Sequence, residues 1–185
     1  MSPARLWLTA AVLALPAFEL KAQAPVPADT DRSPRWSLAA GYGFSVKLSR
    51  GRSEEQMLLV VPAVSFPLSA RFEYTVEGHF AGFFRPRGYM LGWMPVGARF
   101  YFGAGRAQPY VSLGAGLGWT DLTDLDEIDR RFNYLLQGSI GLRHRFPDGS
   151  AWTLEARMSH ISNAKTALPN LGLNTVVFLG GFRFR

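Results

Sequence analysis

The stretch PYVSLGAGLGW, residues 109–119, carries an apolar residue at every second position. Val111, Leu113, Ala115, Leu117 and Trp119 share one face of an extended strand; Tyr110, Ser112, Gly114, Gly116 and Gly118 share the other. A helix cannot sort residues this way, because its period is 3.6. The same alternation predicts strands near 36–48, 55–66, 70–84, 89–102, 108–120, 132–145, 151–162 and 174–185. Each is long enough to supply the roughly 9–11 residues that a tilted strand needs to cross a bilayer. An even number of antiparallel strands closes on itself and leaves no edge. The fold class expected is therefore all-β, an eight-stranded antiparallel transmembrane β-barrel.

The parity of the pattern assigns the faces. Trp36, Leu38, Ala40, Tyr42, Phe44 and Val46 form one apolar row, and Phe72, Tyr74, Val76 and Phe80 another. The opposite rows hold small or charged residues, among them Glu73, Glu77, His79, Arg99, Arg143, Glu155 and Arg157. Apolar-out and polar-in is the rule for a barrel in lipid, and the interior charges are expected to pair with one another. A soluble, lipocalin-like barrel would invert these faces.

The first 24 residues stand apart. Arg5, an apolar run from Leu6 to Phe18 and the small-residue site Ala22-Gln23-Ala24 make the pattern of a secretory signal, too short for a spanning helix. The expected organisation is a signal peptide over 1–24, a polar periplasmic linker over 25–35 and the barrel over 36–185. The whole chain carries +6; losing Arg5, Glu19 and Lys21 removes one net positive charge and leaves +5. A basic exported protein suits an anionic surface, and export argues against nucleic acid as partner. There is no cysteine, which excludes disulfides, iron–sulfur clusters and zinc–thiolate sites.

The connections fall into two sets. FPLSA, GAGRAQ and FPDGS are tight-turn sequences. The other set contains Arg50, Arg52, Arg85, Arg87, Arg130, Arg131 and Lys165. With the N-terminus on the periplasmic side, these cations face outward, where they are candidate ligands for lipopolysaccharide phosphates. The acidic residues Asp121, Asp124, Asp126, Glu127 and Asp129 could take a divalent ion, but they lack the spacing and glycine of an EF-hand, and a solvated loop is the preferred reading. GAGLG lies inside a strand and is no phosphate loop. His79 reads as an interior polar residue and His144 as an interfacial one. No metal or cofactor is expected.

Strand seven, AWTLEARMSHIS, carries the chemistry. Trp152, Leu154, Ala156 and Met158 form its lipid-facing row, and His160 and Ser162 continue that row toward the outer rim. In the last strand Asn174 shares a face with Val176, Phe178, Phe182 and Phe184, so it starts the neighbouring strand on the same wall. A hydroxyl and an imidazole two positions apart can act as nucleophile and base on an acyl ester, and Asn163 with backbone N–H groups of the next loop can hold the oxyanion. A lone His-x-Ser also has structural uses, so a non-catalytic structural or binding barrel stands as the alternative.

HISNA followed by PNLGLN resembles the lipid A 3-O-deacylase (PagL) family, in His160, Ser162, Asn163, Ala164, Pro169, Asn170 and Gly172. The resemblance implies an eight-stranded outer-membrane barrel. It implies a serine esterase that removes the ester-linked 3-hydroxyacyl chain at position 3 of lipid A. Ser162 would be the nucleophile and His160 the base, Asn163 and Asn170 oxyanion donors, lipopolysaccharide the substrate, and no metal is needed. Monomer and homodimer stay open. The family's best-known members place a Glu two residues after the glycine to orient the histidine; here Asn174 stands there. Asn can orient an imidazole but cannot stabilise imidazolium by charge, and an Asp-to-Asn change in a serine-protease triad costs about 10⁴ in kcat.

Overall fold

The structure, a computed structural model, describes residues 32–46, 55–123, 128, 130–166 and 172–185. The expected signal peptide, residues 25–31 of the linker, Arg50, Arg52, Asp124, Asp126, Glu127, Asp129, Pro169 and Asn170 lie outside the described residues.

Eight strands form: β1 (Arg35–Ser45), β2 (Gln56–Pro67), β3 (Phe72–Arg85), β4 (Arg87–Tyr101), β5 (Ala107–Thr120), β6 (Phe132–Arg145), β7 (Ala151–Ser162) and β8 (Leu173–Arg183). Each pairs antiparallel with the next, and β8 closes on β1 with Leu38 opposite Phe182 and Phe44 opposite Val176. The result is a closed transmembrane β-barrel, as the alternation predicts. The start of β1, the end of β8 and the turns around Ser69, Gly103 and Asp148 lie at one end. His160, Ser162 and the longer connections lie at the other. The β3–β4 connection is shorter than expected: only Pro86 separates the strands, so Arg85 and Arg87 end strands instead of lying in a loop.

The outer wall is apolar. Leu113 is 69% exposed, Ile140 66% and Trp36 64%, values that water would penalise and lipid does not. One strand changes face midway. In β4 Leu91 and Trp93 point outward, but so do Val96, Ala98 and Phe100. A bulge absorbs the odd step: Trp93 pairs with Leu117 and Val96 with Ala115, leaving Met94 and Pro95 opposite Gly116 alone. Pro95 has no N–H to lose, and its carbonyl accepts the Tyr74 hydroxyl. A β-carbon at Gly116 would lie 2.2 Å from the Trp93 carbonyl oxygen, so only glycine fits there.

The interior has two tiers, and the sequence reading anticipated one. Toward the turn end, charges pair as expected. Arg157 donates to Glu77 (2.9 Å) and Glu155 (2.6 Å); Arg143 and Arg183 both donate to Glu73, at 3.0 and 2.7 Å. Tyr101 and Tyr110 hydroxyls complete Glu73 and Glu155, and Gln137 donates to Glu77. Toward the outer rim, however, the interior is apolar. Met57, Leu59, Val61, Ala81, Phe83, Met90, Met94, Leu135, Ile161, Leu173, Val177 and Leu179 pack together, with Leu122 and Ile128 of the β5–β6 connection over them. A polar interior is thus corrected to a half-polar one. An eight-stranded barrel is just wide enough to be filled by side chains, and filling it with aliphatics avoids further ion pairing.

Candidate active site

His160 and Ser162 end β7 on the outward face, both half-buried, with the inward residue Ile161 between them only 1% exposed. Strand pairing sets His160 opposite Leu136 of β6 and Asn174 of β8, and Ser162 opposite Tyr134. The residue opposite His160 is therefore dictated by register, and its side chain engages the ring: Nδ1 of His160 and Oδ1 of Asn174 are 2.9 Å apart. Because an amide oxygen only accepts, that contact puts the proton on Nδ1 and leaves Nε2 with its lone pair. Among the described residues no hydrogen bond joins the Ser162 hydroxyl to the His160 ring; the two share a row.

Beyond Ser162 the strand ends in a tight turn. The Asn163 carbonyl accepts the Thr166 N–H (3.1 Å) and the Thr166 hydroxyl (2.8 Å). Ala164 and Lys165 both adopt left-handed backbone, at φ 53° and 63°. Non-glycine residues pay roughly 1–2 kcal/mol each for this conformation, and such strain gathers at functional sites. Asn163 itself is buried, 1% exposed, on the inward side of the strand end. Gly172, where the chain returns, is also left-handed (φ 72°), and the His160 ring packs against it.

Below His160 the outer wall is grooved. A shallow hollow of ≈ 560 Å³ is lined by Val96, Ala98, Leu113, Leu136, Met158 and His160, with Ala115 and Gly138 as its floor. A larger one of ≈ 770 Å³, bounded by Val111, Ile140, Leu154 and Phe178, lies toward the turn end over Ala156 and Gly180. The five described cations that sequence reading placed at the rim, Arg85, Arg87, Arg130, Arg131 and Lys165, are all exposed. His79 is buried in the charged tier against Glu77 and Arg157. His144 stacks on Trp152.

The chain matches the family described as lipid A 3-O-deacylase (PagL) over residues 17–183. It belongs to the PagL family. Family chemistry is deacylation, the hydrolysis of an ester. A crystal structure of the outer membrane enzyme PagL superimposes with a TM-score of 0.60 at 16% identity, covering 80% of this chain and 98% of that one. The crystal structure of Neisserial surface protein A aligns with a TM-score of 0.63 at 12% identity, over 81% and 95% of the two chains. At these identities both show the shared barrel. No curated protein matches the chain in sequence.

The structure brings His160, Ser162 and Asn174 onto one wall and puts Asn163 beneath it. Sequence reading missed three things here: the left-handed pair Ala164 and Lys165, the groove, and the packing of His160 on Gly172. Of these only the glycine left a trace, standing two positions before an outward-facing Asn.

Proposed function

We propose that this PagL-family chain is a lipid A 3-O-deacylase of the outer membrane that uses Ser162 as nucleophile. The observation that carries the reading is the His160–Asn174 contact at 2.9 Å on a lipid-facing wall, in one row with Ser162. A polar pair in that position has no packing role in a bilayer, where burying polar groups costs several kcal/mol.

His160 Nε2 takes the Ser162 proton as Oγ attacks the ester carbonyl of the chain at position 3. The carbonyl electrons move to oxygen, and N–H groups of the strained 163–166 turn, with Asn170, are the proposed oxyanion donors; the Asn163 side chain is buried on the inward side, which leaves its backbone N–H as its candidate donor. Collapse breaks the bond to the sugar oxygen, which leaves with the proton from His160. Water, losing its proton to His160, then attacks the acyl-serine carbonyl; the bond to Ser162 Oγ breaks, and His160 returns the proton to that oxygen. The products are a free 3-hydroxy fatty acid and lipid A with a free 3-hydroxyl. Asn174 holds the ring in the tautomer that makes Nε2 basic. The apolar groove below His160 suits an acyl chain already lying along the wall. Arg85, Arg87, Arg130, Arg131 and Lys165, with Arg50 and Arg52, are proposed to hold the lipid phosphates, for which the guanidinium fork is suited.

Purified protein incubated with lipid A should release one ester-linked 3-hydroxyacyl chain, seen by mass spectrometry. Ser162→Ala and His160→Ala should each abolish the release, because the two act as a unit, while heat-modifiable migration shows the barrel intact. A second reading, a non-catalytic barrel, is favoured by one observation: a neutral Asn174 where the family's best-known members carry an acid. Absence of any cleavage by the unmodified protein would establish that reading instead.

A further inference from the structure

We propose that Gly172 is a positioning residue for His160: the absence of a side chain there is what allows the imidazole to lie on the Ser162 side while its Nδ1 stays on Asn174. The proposal rests on His160 being the general base.

Register supplies the placement. His160 faces Asn174 and Ile161 faces Leu173 at the end of the β7–β8 ladder, and Gly172 is the first residue beyond it. A β-carbon built on Gly172 would lie 2.5 Å from His160 Cε1, 3.2 Å from Nε2 and 3.3 Å from the Ile161 carbonyl oxygen. The first distance is shorter than non-bonded carbons tolerate, and the second is tight. The ring edge that carries Nε2 therefore rests on bare glycine backbone. Asn174 holds one nitrogen of the ring, and Gly172 makes room for the other.

Two properties of Gly172 must be separated, its left-handed φ of 72° and its missing β-carbon. The atoms in the way are the far end of a histidine side chain, so a substituted protein can fold by turning the ring. Held at Nδ1, a ring pushed at Cε1 either swings Nε2 out of line or gives up Asn174. Both move the base, and a displacement of about 1 Å at a reacting group costs on the order of 10²-fold in rate.

Gly172→Ala introduces the β-carbon and the backbone strain together. Gly172→Asn introduces the β-carbon with a residue that accepts left-handed backbone. The readouts are kcat and KM on lipid A, and ¹⁵N NMR of ring-labelled histidine in micelles, with His160 assigned from His160→Gln. Expected are a folded barrel, kcat lower by roughly 10²-fold with KM little changed in both variants, and His160 ring ¹⁵N signals that move from their wild-type positions, with loss of the single Nδ1–H tautomer if the ring gives up Asn174. Wild-type kcat and tautomer in Gly172→Asn would overturn the proposal, since the backbone angle alone would then matter. So would wild-type behaviour of Gly172→Ala, or failure of both variants to fold. Should only Gly172→Ala fail to fold, Gly172→Asn decides alone. If the unmodified protein cleaves no lipid A, the general-base reading falls, and the NMR arm still reports whether Gly172 sets the ring.

Discussion

On the proposed mechanism the rate depends on Asn174 through its hold on His160. This asparagine is half-buried on the outer face and bonds His160 without charge. Asn174→Ala should lower kcat with little effect on KM, because the contact strengthens only as imidazolium forms. Asn174→Asp keeps the shape and the 2.9 Å contact while adding a carboxylate. It should raise kcat, on the order of tenfold or more given the size of triad effects. A fall in kcat would mean that the wall is built for a neutral partner, where an added charge is too poorly solvated to help. Lys165 offers a cleaner stability measurement. Lys165→Gly relieves a left-handed lysine and should stabilise the barrel by up to about 1 kcal/mol in urea titrations in micelles. If Lys165 also meets a lipid phosphate, KM should rise at the same time, and a stability gain with unchanged KM would remove it from that role.

Strand by strand, the alternation was sufficient wherever one face was apolar and the other polar or small. β5 and β7 show this: Val111 and Leu113, then Leu154 and Met158, point outward as their parity predicts. β2 defeats the same reasoning. Leu58 and Val60 face out while Met57, Leu59 and Val61 face in, so period two carries no information about its sides, and the apolar inner tier stayed hidden. β4 fails for another reason, because the extra residue at Met94–Pro95 shifts the phase midway. At the site, the row of His160 and Ser162 and the register with Asn174 could be read from parity, since strand pairing is local arithmetic. The close approach of Gly172 to the ring could not, because it depends on how a loop returns. The bulge invites a test of its own. Gly116→Val would drive a side chain into the Trp93 carbonyl, and the expected result is loss of heat-modifiable, folded barrel; a folded variant would show that β4 can take another register.

At the scale of the whole molecule, the faces predict which positions meet lipid. The chain has no cysteine, so single cysteines can be placed and spin-labelled at will. Labels at Leu113 and Leu154 should be relaxed by a quencher dissolved in the lipid phase, and a label at Ser112 should not. The opposite result would invert the barrel and remove His160 and Ser162 from the membrane face. The charged tier holds the same wall from within. Arg157→Met removes the nearer of the two arginines that Glu77 and Glu155 share, leaving Arg99 at 3.8 Å from each, and should cost up to about 3–5 kcal/mol, the usual range for breaking a buried ion pair by removing one partner. That tier also ties sequence-distant strands together: Glu73 of β3 receives Arg143 of β6 and Arg183 of β8. Arg183 arrives only with the final strand, whose other edge must find β1. A half-inserted chain would thus hold Glu73 short of one of its two counter-ions in a medium that cannot hydrate it. Assembly in the bilayer should accordingly be all-or-none, with no stable open sheet along the way and the last strand acting as the latch.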